Sequence, residues 1–357
     1  MVWFILAVLV FVAFSLLYLR GEDLSRYDAP PPPAPLGKPS PEHSAVLARL
    51  GEFAATGQSH RGRGRLRAIR ELMDSLSDGV EFGCRFETVN DGQLRGEWVL
   101  APGHDPRRRL LYIHVGAWFA GSPRSHRAIT DRLARLTGAA VFALDYRLIP
   151  EHRRRDGIED CRNAWRWLLV NGPEGPEVLD HGMVAGDSAG GSLTLGLLAW
   201  IRDEGLRAPD AAIAFSPSTD VTMSGPSMRS NLATDHMLGP LFGKLARIPT
   251  ILLLWLTWFN NRIAPSHPDV SPLRGELAGL PPVLIQASEQ EMLLDDARRY
   301  VARAQAAGSP VELQTWPHMV HVWQMFTPDL PEAEEAYANI AEFLDSAGVP
   351  VAEGGDL

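Results

Sequence analysis

The strongest chemical signal in the sequence is GDSAG, residues 186–190, where one serine stands between two glycines. A short apolar run precedes it and a helical run follows it, which is the strand–turn–helix context that the G-x-S-x-G pattern requires. The turn is tight at the serine, and Gly186 and Gly190 let neighbouring backbone pass without a clash. We therefore predict that Ser188 is a nucleophile whose hydroxyl is held near a helix N-terminus.

Two histidines late in the chain are the candidate bases for this serine. A serine hydroxyl alone is a weak nucleophile, so a base must take its proton and a carboxylate must orient that base. In chains built around this serine turn the order is serine, acid, histidine. His318 and His321 follow the strand-like segment at residues 311–316, whereas His236 and His267 fall in an earlier insertion. We expect the base to be one of the two later histidines.

Four acidic residues after the preceding apolar run are the candidate carboxylates. They are Glu289, Glu291, Asp295 and Asp296. The two aspartates fall in the first turns of a predicted helix, where the helix dipole alone favours acidic side chains. The two glutamates fall in the loop itself. These observations leave all four residues open as the catalytic acid.

The composition limits the classes of function. The chain has 357 residues, of which 45% are hydrophobic and 22% are charged, as is ordinary for a folded enzyme, and its net charge of −9 argues against nucleic acid as a partner. Cys84 and Cys161 do not make a disulfide framework. The sequence has no H-E-x-x-H, C-x-x-C, phosphate-binding P-loop or G-x-G-x-x-G pattern. We therefore expect no metal and no other cofactor.

The N-terminus carries an apolar run, residues 2–19, broken only by Ser15. At about 1.5 Å per residue, such a run roughly spans a hydrocarbon core of about 30 Å. A cleaved signal peptide would have basic residues before a shorter core and a small-residue cleavage site, and neither is evident. We expect a single-pass anchor in the cell membrane. Arg20, Arg26 and Lys38 follow the run, which slightly favours a cytoplasmic catalytic domain.

The composition along the chain divides it into four parts. Residues 1–20 are the predicted anchor, and residues 21–41 form a proline-rich linker that we interpret as a semi-rigid stalk. Residues 42–80 show helical spacing of apolar side chains and are interpreted as N-terminal cap helices. Residues 81–348 form the predicted catalytic domain, interrupted by a cap insertion at residues 219–268.

Two segments of the predicted cap allow two interpretations each. RGRGRLRAIR, residues 61–70, is either a solvated helix face or a contact for anionic lipid beside the anchor. IPTILLLWLTWF, residues 248–259, is too short to span a bilayer comfortably. It is either a buried cap helix or an apolar surface that rests on the membrane or grips an apolar substrate.

From about residue 85 strand-like and helix-like segments alternate, which predicts a mostly parallel sheet with helices on both faces. Ligands of such sheets bind beyond the carboxyl ends of the strands. The predicted strands cover residues 109–115, 139–145, 182–186, 211–215, 282–287 and 311–316, after a hairpin around residues 90–92. The predicted helices between them cover residues 124–137, 157–170, 190–204 and 293–307.

Several motifs, in order along residues 85–345, resemble those of the bacterial hormone-sensitive-lipase-like esterases, a family with the α/β-hydrolase fold. YIHVGAWFAGS at residues 112–122 resembles the family's oxyanion strand and loop, and DYRLIPEH at residues 145–152 resembles its D-Y-R-L-A-P-E-H motif. GDSAGG and WPHMVHVWQ, residues 316–324, resemble its serine turn and histidine loop. The branch resembled most includes epsilon-lactone hydrolases and short-acyl carboxylesterases.

The resemblance implies specific roles for two of the open candidates. By position the catalytic acid is Glu291, where the family more commonly has aspartate, so one extra methylene must be accommodated. The catalytic histidine is His321. His318 stands where the family usually has glycine and is the weaker candidate. Ser188, Glu291 and His321 would then form the triad.

The resemblance also implies an oxyanion hole made of backbone N–H groups from Gly116, Ala117 and Ala189. Val115 and Ala117 replace two glycines of the family's H-G-G-G motif. Because Ala117 keeps its N–H, we expect it to donate unless the loop demands a positive φ there. His114 is expected to shape the loop through hydrogen bonds rather than act as a second base.

Asp187 is expected to be structural, as is the segment at residues 145–152. Together these expectations describe a membrane-anchored serine hydrolase of small carboxylic esters, with a hydrophobic substrate favoured by the apolar cap. Lactone opening, amide or N-acyl hydrolysis and acyl transfer use the same triad, and the sequence does not separate them. A non-catalytic ligand-binding relative is a rival hypothesis, and a mainly structural membrane protein with a decayed enzyme domain is another.

Overall fold

The computed structural model describes residues 1–33, 37–92, 94–243 and 248–352, without the side chains of residues 56–58. In this part of the chain eight strands form one sheet in the order β1-β2-β4-β3-β7-β8-β9-β10, and β5 and β6 form a separate hairpin. The strands are β1 (Arg85–Asp91), β2 (Leu94–Leu100), β3 (Asp105–Ile113), β4 (Ala139–Leu144), β5 (Asn171–Gly172), β6 (Gly175–Pro176), β7 (His181–Asp187), β8 (Ala211–Phe215), β9 (Val283–Ser288) and β10 (Val311–Trp316).

Eleven α-helices are described in the same ranges. They are α1 (Val2–Ala13), α2 (His43–Ser59), α3 (Gly62–Asp74), α4 (Arg127–Thr137), α5 (Arg154–Leu168), α6 (Ala189–Asp203), α7 (Ser227–Ser230), α8 (Leu238–Phe242), α9 (Thr250–Asn261), α10 (Leu294–Ala306) and α11 (Pro331–Ser346). The predicted alternation is confirmed, since each predicted strand and each helix between them is present with shifts of a few residues at its ends.

The central strands are buried on both faces, which explains their near-continuous apolar runs. Strands β3, β4, β7, β8, β9 and β10 are parallel, whereas β2 pairs antiparallel with both of its neighbours. Along β3 alternate side chains enter two different cores: Leu111 and Ile113 pack with α5, α6 and α10, and Leu110 and Tyr112 pack with α4 and α11. The predicted mostly parallel sheet, covered on both faces, is therefore confirmed.

The N-terminal helices pack over the carboxyl edge of the sheet. In α3, Ile69 and Met73 pack with Ala120, and Val115 and Phe119 line the same cluster. In α2, apolar side chains pack with the segment that follows the histidine loop. The loops that carry the predicted site are therefore covered by helices that come long before them in the sequence.

The apolar N-terminal run is helical, as α1 followed by a π-helical segment, Phe14–Arg20. The stretch Val2–Tyr27 is long and apolar enough to cross a membrane by length and composition, with 11% of its most apolar window buried, and a signal sequence would pass the same test. Most of the side chains of α1 are exposed.

The linker differs from the stalk that its proline content suggests. Its residues 21–33 lie along α10 rather than extending away from the body. The guanidinium of Arg303 pairs with Glu22 at 2.9 Å, and that of Arg298 donates to the carbonyl of Pro30 at 3.1 Å. Leu24 is fully buried. Residues 34–36 of the linker and residues 244–247 of the insertion lie outside the described residues.

Candidate active site

Ser188 occupies a strained turn between β7 and α6. Its φ of 51° and ψ of −109° lie outside the regions that side chains usually adopt. The flanking glycines make this turn possible: a Cβ at Gly190 would lie 1.9 Å from the carbonyl oxygen of Ile113, and one at Gly186 would lie 2.6 Å from that of Gly190. The backbone N–H of Ser188 donates to the carbonyl of Phe215 at 2.7 Å, which fixes the turn to β8.

The loops after β9 and β10 bring Glu291 and His321 together. The Nδ1 of His321 and the Oε2 of Glu291 are 2.7 Å apart, and both side chains are buried. The Nε2 of His321 is also buried and has no hydrogen-bond partner within the described ranges, so it can serve a reacting group. Burial alone would lower the pKa of His321, but the hydrogen bond and charge of Glu291 outweigh it and raise that pKa.

The residue Ser288, at the end of β9, connects the two loops. Its backbone N–H donates to the Oε1 of Glu291 at 3.2 Å, and its hydroxyl donates to the carbonyl of Met319 at 2.5 Å. From the insertion at residues 219–268, the amide of Asn231 donates to the carbonyls of Glu289 and Glu291 at 2.9 and 3.0 Å. Glu291 and His321 are therefore positioned by hydrogen bonds from both the sheet and this insertion.

Three successive residues with positive φ shape the loop after β3. The φ angles are 147° at Gly116, 48° at Ala117 and 65° at Trp118. A Cβ at Gly116 would lie 1.6 Å from the carbonyl oxygen of Ala120, so only glycine fits there. Ala117 adopts the left-handed region, which costs an alanine about 1–2 kcal/mol but does not exclude it. The positive φ named above as the exception is therefore present, and the donation from the N–H of Ala117 stays a prediction.

Within the described ranges, the N–H groups predicted for the oxyanion hole have no protein acceptor. Those of Gly116 and Ala117 have no acceptor among the residues that the structure describes. Ala189 is the first residue of α6, where N–H groups have no partner within the helix. Free donors next to a nucleophile can bind a developing oxyanion.

The buried residues His114 and Asp187 brace the oxyanion loop. Asp187 accepts hydrogen bonds from the N–H of Val115 at 3.0 Å and the hydroxyl of Tyr112 at 2.6 Å. The Nδ1 of His114 lies 2.8 Å from the carbonyl of Val115, and its ring stacks on Tyr146 at a centroid distance of 4.4 Å. Burial lowers the pKa of His114 to about 3, so the ring is neutral at ordinary pH. Such contacts agree with the expected bracing role.

Comparisons with known proteins agree with this geometry. The sequence pattern of the α/β-hydrolase fold matches residues 110–325. An acetyl-hydrolase of Streptomyces hygroscopicus is 39% identical over 262 residues, which are 73% of this chain and 83% of that protein.

The chain belongs to the α/β-hydrolase fold family.

Two further comparisons indicate which members of the fold family the chain resembles. The carboxylesterase/phospholipase LipF of Mycobacterium tuberculosis is 31% identical over 284 residues, which are 75% of this chain and 73% of that protein. The crystal structure of an esterase from the bacterial hormone-sensitive lipase family superimposes with a TM-score of 0.75 at 35% identity, covering 87% of this chain and 99% of that one. The resemblance to bacterial hormone-sensitive-lipase-type esterases is therefore confirmed.

The other candidate acids and the other candidate histidine of this α/β-hydrolase make contacts elsewhere. Asp295 accepts from the N–H of Ser227 at 2.7 Å, and Asp296 accepts from the N–H groups of two residues at the start of the insertion. Glu289 accepts from the hydroxyl of Thr315 at 3.0 Å. His318 adopts a positive φ of 66°, which agrees with the glycine that the family resemblance implies at this position. Within the described ranges, the carboxylate that contacts His321 is that of Glu291.

Two arginines that contact the oxyanion loop, residues 114–122, were not predicted from the sequence. Arg70, in α3, donates from Nε to the carbonyl of Phe119 at 2.7 Å and pairs with both carboxylate oxygens of Glu151 at 2.9 and 2.8 Å. Arg154 is buried, and its guanidinium lies 3.5 Å from the ring centre of Trp118. Arg70 belongs to the arginine-rich stretch interpreted as a solvated face or a lipid contact. Its partner Glu151 lies in the segment at residues 145–152 that was expected to be structural.

No group of three or more His, Cys, Asp or Glu side chains in the described ranges could hold a metal ion. At the carboxyl edge of the sheet lie a serine in a strained turn, an imidazole whose Nε2 has no partner within the described ranges, and backbone N–H groups that have no acceptor there. This arrangement suits acyl transfer through a covalent intermediate.

Proposed function

We propose that this protein hydrolyses small carboxylic esters, with Ser188 as nucleophile, His321 as general base and Glu291 as the orienting acid. The observation that carries the proposal is the 2.7 Å contact between His321 and Glu291, which leaves the second ring nitrogen of a buried histidine without a partner in the part of the chain that the structure describes. The strained turn at Ser188 on the same edge of the sheet supports it. The names of the relatives, which include an acetyl-hydrolase and a carboxylesterase/phospholipase, point to the same chemistry.

The proposed reaction has two halves. In the first, the Nε2 of His321 takes the hydroxyl proton of Ser188 while Oγ attacks the ester carbonyl, and the oxyanion accepts hydrogen bonds from Gly116, Ala117 and Ala189. The C–O bond to the alcohol then breaks, the alcohol leaves with the proton from His321, and an acyl-enzyme remains. In the second half, His321 takes a proton from water while the water oxygen attacks the acyl carbonyl. The bond from the carbonyl carbon to Oγ then breaks, His321 returns the proton to Oγ, and the acid leaves.

The proposal includes a membrane anchor formed by the apolar run at residues 2–19. The stretch Val2–Tyr27 has the length and hydropathy of a span, and α1 leaves its apolar side chains exposed. Arg20 and Arg26 on its C-terminal side favour a catalytic domain on the cytoplasmic side of the cell membrane. Esters with apolar acyl or alcohol groups are the expected substrates, because the cap carries the apolar helix α9.

Labelling with an active-site fluorophosphonate tests the assignment of the nucleophile. We expect the probe to label the folded protein and the Ser192→Ala control, and not Ser188→Ala. Ser192 is a matched control because it is a buried serine one turn further along α6. Labelling of Ser188→Ala at the original rate would refute the assignment.

A substrate panel tests the reaction class. We expect p-nitrophenyl esters from acetate to palmitate to be hydrolysed by the unmodified chain in detergent micelles, with a lactone and an anilide of matched acyl groups turned over more slowly. Faster turnover of the lactone or the anilide would replace ester hydrolysis with lactone opening or amide hydrolysis on the same residues.

A further inference from the structure

The cap helix α9 packs against the C-terminal half of the proposed anchor. The rings of Trp255 and Phe11 stack with centroids 5.1 Å apart, and those of Trp258 and Phe14 meet edge to face at 5.3 Å. The indole N–H of Trp255 donates to the hydroxyl of Ser15 at 3.0 Å. The two helices therefore form one apolar unit.

The outer face of α9 is open. Leu252, Leu256 and Phe259 are each more than half exposed, and their spacing of four and three residues places them on one side of the helix. Leu253 and Leu254, on the inner side, are buried. Three large exposed apolar side chains on one face, next to an exposed apolar helix, mark a surface for an apolar environment.

The length of the anchor fixes the depth of this surface. A hydrocarbon core of about 30 Å takes about 20 helical residues, so the whole run at 2–19 is needed to cross it. Residues 2–10 alone would cover only about 13 Å at about 1.5 Å per residue. The residues that contact α9, from Phe11 to Ser15, must then lie inside the bilayer. Because Trp255 and Trp258 are packed on them, the middle of α9 lies at the same depth.

The segment that follows the anchor is bound to the body of the protein, so α9 cannot move away from the anchor. The hydroxyl of Ser266, just after α9, donates to the carbonyl of Tyr18 at 2.5 Å, and the guanidinium of Arg274 donates to the carbonyl of Glu22 at 3.0 Å. Arg299 pairs with Asp28 further along the linker. The body of the protein is thus fixed directly beneath the membrane.

The polar groups of this region suit such a position. The hydroxyl of Ser15 donates to the carbonyl of Phe11 at 2.7 Å and accepts from Trp255, so it is satisfied within the protein. The helix α9 contains no charged residue, and its first charge is at Arg262, where the helix ends. That guanidinium lies 5.9 Å from the ring centre of Trp258, in reach of lipid headgroups.

We propose that the outer face of α9 docks in the leaflet next to the anchor, at the boundary between acyl chains and headgroups. The inference rests on the membrane anchor of the proposed function. Docking would hold the cap on the bilayer at a point connected to the acid loop, since the guanidinium of Arg229 donates to Thr250 at 2.9 Å and Asn231 donates to the loop at Glu291.

Site-directed fluorescence on the full chain in phosphatidylcholine nanodiscs tests the docking. Single cysteines at Leu256→Cys and Phe259→Cys carry an environment-sensitive fluorophore, with Leu9→Cys as the anchor reference. Val178→Cys is the matched control, because this exposed valine precedes β7 at the opposite edge of the sheet from Ser188. The native Cys84 and Cys161 are buried, and burial raises the pKa of both thiols, so the label goes to the introduced residue.

We expect the labels at positions 256, 259 and 9 to shift to the blue and to lose fluorescence when doxyl-labelled lipid is included, and the label at 178 to do neither. Labels at 256 and 259 that behave like the one at 178, while the label at 9 is quenched, would overturn the docking and leave the anchor intact. An unquenched label at 9 would overturn both. Blue-shifted but unquenched labels at 256 and 259 would show that another copy of the chain covers α9, and would also overturn the docking.

Discussion

The acid–base loops and the oxyanion loop meet at one edge of the sheet but are held in different ways. Glu291 and His321 are connected through Ser288, which is itself the last residue of a central strand. The oxyanion loop is braced from below by Asp187 and from outside by Arg70, a residue of the N-terminal helix α3. The proposed proton-transfer groups therefore depend on the core of the sheet, whereas the proposed oxyanion donors depend also on the N-terminal helix α3.

The largest expected effect lies in the acid–base loops. His321→Ala should lower kcat by about 10⁶-fold, because removal of the base disables the triad as a unit. The matched control is His318→Gly, which suits the positive φ of 66° and should retain activity within a few-fold of the original chain. Steady-state kinetics on a p-nitrophenyl ester measure both. Equal losses in the two variants would mean that the base is not assigned correctly.

The next largest fall in kcat is expected for a substitution in the oxyanion loop. Gly116→Ala should lower kcat by about 10²–10³-fold, the usual cost of losing one oxyanion donor, because the added Cβ would displace the loop from Ala120. Ala117→Gly is the control, since glycine accepts the φ of 48° without strain. Circular dichroism of both variants checks that they fold. Full activity of a folded Gly116→Ala would show that these N–H groups do not bind the oxyanion.

A smaller effect is expected where the cap holds the oxyanion loop. Arg70→Ala should lower kcat by about 10- to 100-fold with little change in KM, because displacing a positioning group by about 1 Å is enough to cost that much. Arg70→Lys should recover only part of the loss, since a lysine cannot reproduce the fork that holds Phe119 and Glu151. Arg67→Ala, an exposed arginine one turn earlier, should have no effect. A rise in KM with kcat unchanged would assign Arg70 to substrate binding instead.

The two kinds of loop also differ in how much of them could be predicted from the sequence. The strands, the serine turn and the family follow from local patterns, and these predictions are confirmed by the fold and by the relatives. The choice among four carboxylates needed the resemblance, because spacing alone leaves Glu289 and Glu291 equivalent. The contact between Glu291 and His321 agrees with that choice, and their catalytic roles stay a prediction.

What the sequence did not reveal depends on contacts between distant segments. Arg70 and Glu151 are 81 residues apart, and an arginine in a run of arginines carries no local sign that it will bind a loop. The positive φ of Ala117 is imposed by its neighbours, because alanine has no preference for it. The linker likewise reads as a stalk from its prolines, but arginines of α10 and Arg274, all far away in the sequence, hold it against the body of the protein.

The pH dependence of kcat/KM in the original chain and in Glu291→Gln is the sharpest test of the proposed triad. Neutral His321 is the active form, so activity falls as the pH drops through its pKa, which the hydrogen bond and charge of Glu291 raise above 6.5. In Glu291→Gln the hydrogen bond to a carboxylate and its charge are lost, so burial, which lowers the pKa of His321, is opposed only by the charges of Asp235 and Asp187. The acid limb should therefore move to lower pH while kcat falls by about 10⁴-fold. An acid limb at the same pH in both proteins would mean that Glu291 does not act on His321.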